Sequence, residues 1–120
     1  MSASGIMIVT GGSRGIGAAT VMAAGRAGYD VCVNYRSGAA QAQALVDELQ
    51  AMGRRAIAVY ADMENETGIM QLFEATDRAL GPVSVLVNNA GGVPSGRHRV
   101  DSIRADELDQ VLELPRINNA

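Results

Sequence analysis

The apolar run Ile6-Met7-Ile8-Val9 leads straight into Thr10-Gly11-Gly12-Ser13-Arg14-Gly15-Ile16-Gly17, and this succession constrains the fold more than any other feature of the chain. The apolar run reads as a buried strand. The glycines let the backbone turn tightly and let a ligand approach it. A helix starting there offers free amides and the positive end of its dipole, which together favour an anion such as phosphate. Glycines at 11, 15 and 17 give T-G-x-x-x-G-I-G. That spacing departs from G-x-G-x-x-G, and also from a P-loop, which needs Gly-Lys-Ser/Thr in a chain that here contains no lysine. Taken alone, the motif is also compatible with a glycine-rich turn that holds nothing.

Further along, strands and helices alternate. Ile6 to Thr10 is the expected first strand, and Arg14 to Ala27 a helix of small residues that stops near Gly28. Val31 to Tyr35 reads as a second strand. Ala42, Leu45, Val46, Leu49 and Met52 then fall on one face of a helix that ends before Gly53. Arg55 to Ala61 is the expected third strand, and Ile69, Leu72, Phe73, Thr76 and Leu80 mark a third helix ahead of Gly81-Pro82. Val83 to Asn88 is the fourth strand. Gly91 to Ser102 is loop by composition, and His98, between two arginines, reads as solvated surface. Arg104 to Leu114 carries Leu108, Val111 and Leu112 at helical spacing and is predicted to be a helix that stops at Pro115. Strands alternating with helices pair in parallel through right-handed crossovers, so the predicted class is α/β: a Rossmann-like doubly wound parallel sheet, incomplete, with strand order 3-2-1-4.

Bulk properties exclude several functions. The formal charge is −3, with ten arginines and thirteen acids dispersed along 120 residues, so there is no basic stripe of the kind a nucleic-acid binder presents. No apolar stretch approaches the length of a membrane span, and no signal-peptide pattern opens the chain, so a cytoplasmic protein is expected. Cys32, the lone cysteine, has no partner for an internal disulfide and reads as a small buried apolar residue. No metal-ligand set is expected.

The run Val83-Ser84-Val85-Leu86-Val87 ends in Asn88-Asn89-Ala90-Gly91. T-G-x-x-x-G-I-G followed some seventy residues later by N-N-A-G resembles the short-chain dehydrogenase/reductase family, whose members bind NAD or NADP on a doubly wound sheet. The resemblance covers about Ile6 to Leu112. It implies that Gly11, Ser13, Gly15, Ile16 and Gly17 line the pyrophosphate and adjoining ribose, and that Asn89, Ala90, Gly91 and Gly92 lie beneath a ribose of the cofactor. Thr10 and Asn88 look structural, tying the two loops together. Both motifs would sit between the first and fourth strands, where the strand order reverses and open α/β sheets bind ligands.

Cofactor choice is read at the end of the second strand, where a carboxylate would bind both hydroxyls of the adenine ribose. The chain has Asn34-Tyr35-Arg36-Ser37 there, with no acid. Arg36 and Arg14 could instead make charge-assisted hydrogen bonds to a 2′-phosphate, which points to NADP; the alternative is a solvated Arg36. By the resemblance, Asp62 would accept a hydrogen bond from the adenine amino group, with Met63 beside the ring. Asp62 could equally cap a helix from Glu64 onward.

The family's catalysis, as the resemblance implies it, uses a serine and a tyrosine with a lysine four residues later that lowers the phenol's pKa. Here Tyr29, Tyr35 and Tyr60 are followed at that distance by Val33, Ala39 and Glu64, so no catalytic residue is assigned. Residues 1–114 are therefore expected to form a truncated NADP-binding domain and 115–120 an aberrant tail. The alternatives are a non-enzymatic nucleotide-binding module and a non-functional relic. A carbonyl or alcohol substrate belongs to the full-length family, and its identity is not legible. With fewer strands, strand four is expected to be an exposed edge prone to self-association. Marginal stability of the isolated chain is expected; a reversible, cooperative, high-temperature melt of a monomer would contradict it.

Overall fold

The computed structural model describes residues 3–89 and the backbone of 111–113. Strand β1 (Gly5–Val9) is followed by α1 (Gly15–Arg26), β2 (Tyr29–Tyr35), α2 (Ala39–Ala51), β3 (Ala56–Tyr60), α3 (Glu66–Ala79), β4 (Val85–Val87) and β5 (Val111–Glu113). The sheet order is β3-β2-β1-β4-β5. The first four strands pair in parallel in the expected 3-2-1-4 order, with Ile8 opposite Cys32 on one side and Leu86 on the other.

Each face of the sheet has its own core. On one, Met7, Val9, Val31, Val33 and Val85 pack with Val21 and Ala24 of α1 and with Ala42, Val46 and Leu49 of α2. On the other, Ile8 and Cys32 pack with Leu72 of α3, Ala61 and Leu80. The alternation Met7/Ile8/Val9 and Val31/Cys32/Val33 feeds both, so central strands buried on two sides read as continuous apolar runs rather than alternating ones. Gly25 lets α1 approach α2, since a Cβ there would lie 2.3 Å from Leu49 Cδ2. At the lower end of the sheet the buried Asp30 accepts from the Arg55 backbone N–H at 2.9 Å and from its Nε at 3.0 Å, while Arg55 Nη2 donates to Leu80 O at 2.8 Å. One ion pair thus ties the starts of β2 and β3 to the end of α3.

Two expectations are corrected. Residues 111–113, placed at the end of a helix by their apolar spacing, form a strand antiparallel to β4, with Val85 opposite Glu113 and Val87 opposite Val111. Residues 104–110 lie outside the described residues. Consequently β4 is not an open edge. Its backbone donors and acceptors need partners, and a short apolar segment meets that need better than an end turn of an isolated helix, whose hydrogen bonds are marginal at such lengths. Smaller differences concern boundaries: β2 begins two residues early, at Tyr29, because it stays in register with Gly5, and α1 begins at Gly15 rather than Arg14.

Cys32 is fully buried, as the sequence suggested. Burial pushes its thiol up to about 11, from an ordinary 9.0, against a smaller lowering by a hydrogen bond with Thr76. Because the folded chain keeps this proton longer than the unfolded one, the contribution to stability is full below pH 9 and is lost as the pH rises toward about 11. That loss is about 2–3 kcal/mol, at roughly 1.4 kcal/mol per pKa unit. Denaturant melts across this range should show the decline in the native sequence and a shallower one in Cys32→Ala, and a thiol reagent should label Cys32 only as the chain unfolds.

Candidate functional site

The site is built on the backbone N–H and C=O of Gly11. The chain leaves β1 at Thr10 and turns at Gly11 with φ +62°, a conformation that glycine adopts without strain. Gly11 N–H then donates to Asn34 Oδ1 at 3.1 Å, and Gly11 C=O accepts from Asn89 Nδ2 at 3.1 Å. Asn34 comes from β2 and Asn89 from the end of β4, so side-chain amides on either side of β1 satisfy both polar groups of one glycine. Asn34 is 1% exposed, and its Nδ2 reaches Val59 O and Ala61 O at 3.3 Å each. Its side chain is thus spent inside the protein, and it serves the site by holding the loop from below.

Thr10 performs the matching task on the β4 side. Its N–H donates to Val87 O at 3.0 Å, its Oγ1 accepts from Asn89 N–H at 2.8 Å, and Oγ1 lies 3.1 Å from Asn88 Oδ1. The two motifs are therefore brought side by side, joined through Thr10, Gly11, Asn88 and Asn89. Ala90, Gly91 and Gly92 lie outside the described residues, as does His98.

Gly17 and Gly15 explain the rest of the glycine pattern by opposite means. A Cβ on Gly17 would lie 2.2 Å from Gly11 O and 2.6 Å from Asn89 Nδ2, so α1 can start against the clamped peptide only without one. Gly15, at φ +57°, faces open space, with nothing within 4 Å of a built Cβ. That space adjoins the first turn of α1, which has neither a capping side chain nor an acid. Ile16 stands 63% exposed beside it. Open volume at an uncapped helix start, with a positive dipole end and no competing carboxylate, fits an anionic group.

A second cluster lies where β2 gives way to α2. Ser13 Oγ donates to Ser37 O at 3.1 Å and Arg14 Nη2 donates to Ser37 Oγ at 3.2 Å, so the glycine loop and the β2 end are joined. Gly38, at φ +87°, starts α2 within reach of both: its Cβ would meet Ser13 Oγ at 2.9 Å. Arg36, the residue before Ser37, lies 3.8 Å from Asp62, their side chains 63% and 35% exposed. Tyr35 and Tyr60, paired across the ends of β2 and β3, form an edge-on ring pair with centroids 6.1 Å apart. Asp62 is not the cap of α3. That part is taken by Asn65, whose side chain accepts from Thr67 N–H and Gly68 N–H, whereas Asp62 Oδ1 accepts from Glu64 N–H at 3.0 Å in the preceding turn. Met63, next to it, is partly buried against the core face that includes Leu72.

Sequence reasoning missed how Asn34 and Asn89 act. The signal was available: an asparagine in the apolar run Val31-Cys32-Val33-Asn34 has no place in a buried strand unless its amide is fully paired.

Comparison with known proteins agrees with this geometry. A family model described as short chain dehydrogenase matches residues 5–116. The short chain dehydrogenase claC of Passalora fulva is 38% identical over 109 residues, covering 91% of this chain and 40% of that protein. Among solved structures, a blue fluorescent protein from a metagenomic library, in complex with NADPH, is 42% identical with a TM-score of 0.72, covering 88% of this chain and 44% of that one. A short chain dehydrogenase from Burkholderia cenocepacia, in complex with NADP, is 39% identical with a TM-score of 0.69, covering 87% and 42%. The chain thus spans about two fifths of the length of the relatives it matches.

Two substitutions separate the roles of the glycines. Gly17→Ala should lower stability by about 1–3 kcal/mol through overpacking against Gly11 and Asn89. Gly15→Ala should cost only the left-handed backbone term, about 1–2 kcal/mol. Thermal melts should show the larger loss in Gly17→Ala, whose Cβ meets backbone, and the smaller in Gly15→Ala.

Proposed function

The chain belongs to the short-chain dehydrogenase/reductase family, and on that premise we propose that it forms the NADP(H)-binding portion of an oxidoreductase acting on a small carbonyl or alcohol compound. The observation that carries this reading is the junction of the two glycine-bearing loops through Asn89 and Gly11, at the reversal point of the strand order. The NADPH and NADP held by the two solved relatives support the choice of nucleotide.

In this reading the pyrophosphate lies over Gly15, where the first-turn amides of α1 bind it and Ile16 gives the loop an apolar side. Arg14, Ser37 and Arg36 meet the 2′-phosphate, with Tyr35 at the end of the strand that leads into them. Asp62 accepts from the adenine amino group and Met63 packs beside the ring. Asn89, with Ala90, Gly91 and Gly92, supports a ribose. Gly11, Asn34 and Gly17 hold the loop in shape rather than touch the nucleotide with side chains. When bound, NADP(H) supplies or accepts a hydride at its nicotinamide ring.

The role of these residues is to bind and orient. No tyrosine of the 120 residues has a lysine four positions on, so we assign no proton-transfer residue and expect no turnover from this chain by itself. Residues 1–114 would constitute the nucleotide-binding unit, working in the cytoplasm. Among the described residues no helix is long and apolar enough to cross a membrane.

Titration of the folded chain with NADPH and NADH, followed by nucleotide fluorescence, tests the reading. NADPH should bind more tightly, and Arg36→Asp should cut that preference by about 10-fold or more, the loss of one charge-assisted hydrogen bond being worth about 1.5–3 kcal/mol. An unchanged ratio would remove Arg36 from the site. Failure of the folded chain to bind either nucleotide would overturn the proposal and favour a relic.

A further inference from the structure

Arg36, the residue proposed to meet the 2′-phosphate, already has an anionic neighbour. Ala61 N–H donates to Tyr35 O at 3.1 Å, extending the β2–β3 pairing past the ends of the strands, so Arg36 and Asp62 leave the sheet as neighbours. Asp62 is the fixed member of the pair. Its Oδ1 accepts from Glu64 N–H, and α3 packs so closely on its backbone that a Cβ at Gly68 would lie 2.5 Å from Asp62 O. Arg36 is a long, mostly exposed side chain whose Nη1 lies 3.8 Å from that same Oδ1. Resting on the NADP reading above, we infer that Asp62 is a specificity-determining positioning residue: it holds Arg36 in the free chain and so weakens recognition of the 2′-phosphate.

The physics sets both sign and size. A phosphate arriving at the end of β2 must draw Arg36 from a carboxylate that cannot follow, whereas a nucleotide without the 2′-phosphate leaves the pair intact. The interaction is solvent-exposed, so its cost to 2′-phosphate binding is about two- to five-fold in affinity. This is a different task from contact with the adenine, because it operates through Arg36 and discriminates between ligands that share the same base.

The test compares 2′,5′-ADP with 5′-AMP by calorimetry on the full chain. Asp62→Asn keeps an oxygen for the Glu64 N–H and removes the charge, so the fold is retained. The variant should raise the ratio of 2′,5′-ADP to 5′-AMP affinity by about two- to five-fold. In an Arg36→Gln background the same substitution should leave the ratio unchanged, since Asp62 acts through Arg36. An unchanged or lowered ratio in the Asp62→Asn chain overturns the inference, as does an equal rise in the Arg36→Gln background, which would mean direct repulsion of the phosphate. The NADP reading fails separately: it falls if 2′,5′-ADP binds neither the native chain nor the Asp62→Asn chain better than 5′-AMP.

Discussion

The N–H and C=O of Gly11 are half-buried between elements of three strands, and the rest of the site follows from how they are satisfied. A glycine that turns out of a parallel sheet leaves its N–H and C=O without ladder partners, and an unpaired group of this kind costs about 1–3 kcal/mol. The chain answers with two asparagines, Asn34 on β2 and Asn89 after β4. Because those residues flank β1 on either side, the bonds that satisfy the loop also tie the ends of β2 and β4 to it. Gly17 then lies directly on the clamped carbonyl, which sets where α1 begins and where its amides point. The loop is shaped by neutral hydrogen bonds made from below, so its upper surface is left open for a ligand.

Charge is arranged with the same economy. Near the start of α1 and along the end of β2 stand Arg14, Ser13, Ser37 and Arg36, and the first turn of α1 contains no acid. The carboxylate near them, Asp62, belongs to β3's end and is held by a turn of its own. In the proposed reading this makes a gradient: an anion-accepting surface over the glycine loop, a cationic corner beyond β2, and a carboxylate past the end of β3. A dinucleotide with a phosphate at its centre and another on its adenine ribose matches that sequence of charges. A nucleic acid, which would need positive charge along a continuous face, does not.

Much of this was legible from the residues alone, and the reasons differ by element. Continuous apolar runs at Ile6-Val9 and Val31-Val33 announced central strands buried on two faces, and alternation with helices fixed the parallel order. The glycine spacing announced the loop. The division of labour between its residues was not legible, because Asn34 and Asn89 are ordinary polar letters until the turn places Gly11 between them. Asp62 and Asn65 are both competent caps by type. Which of them caps α3 depends on where the backbone becomes helical, and the helix begins at Glu66.

The segment Val111–Glu113 shows most clearly where local pattern yields to tertiary demand. Leu108, Val111 and Leu112 have helical spacing, but that spacing stabilises a helix only when an apolar surface is there to receive one face of it. β4 offers something stronger: a row of unpaired backbone groups whose other side is already committed to β1. Three residues laid antiparallel along it satisfy those groups at once. The pairing also covers the strand that leads into Asn88 and Asn89, so a backbone contact remote from the glycine loop helps to keep that strand, and with it the Asn89–Gly11 bond, in place.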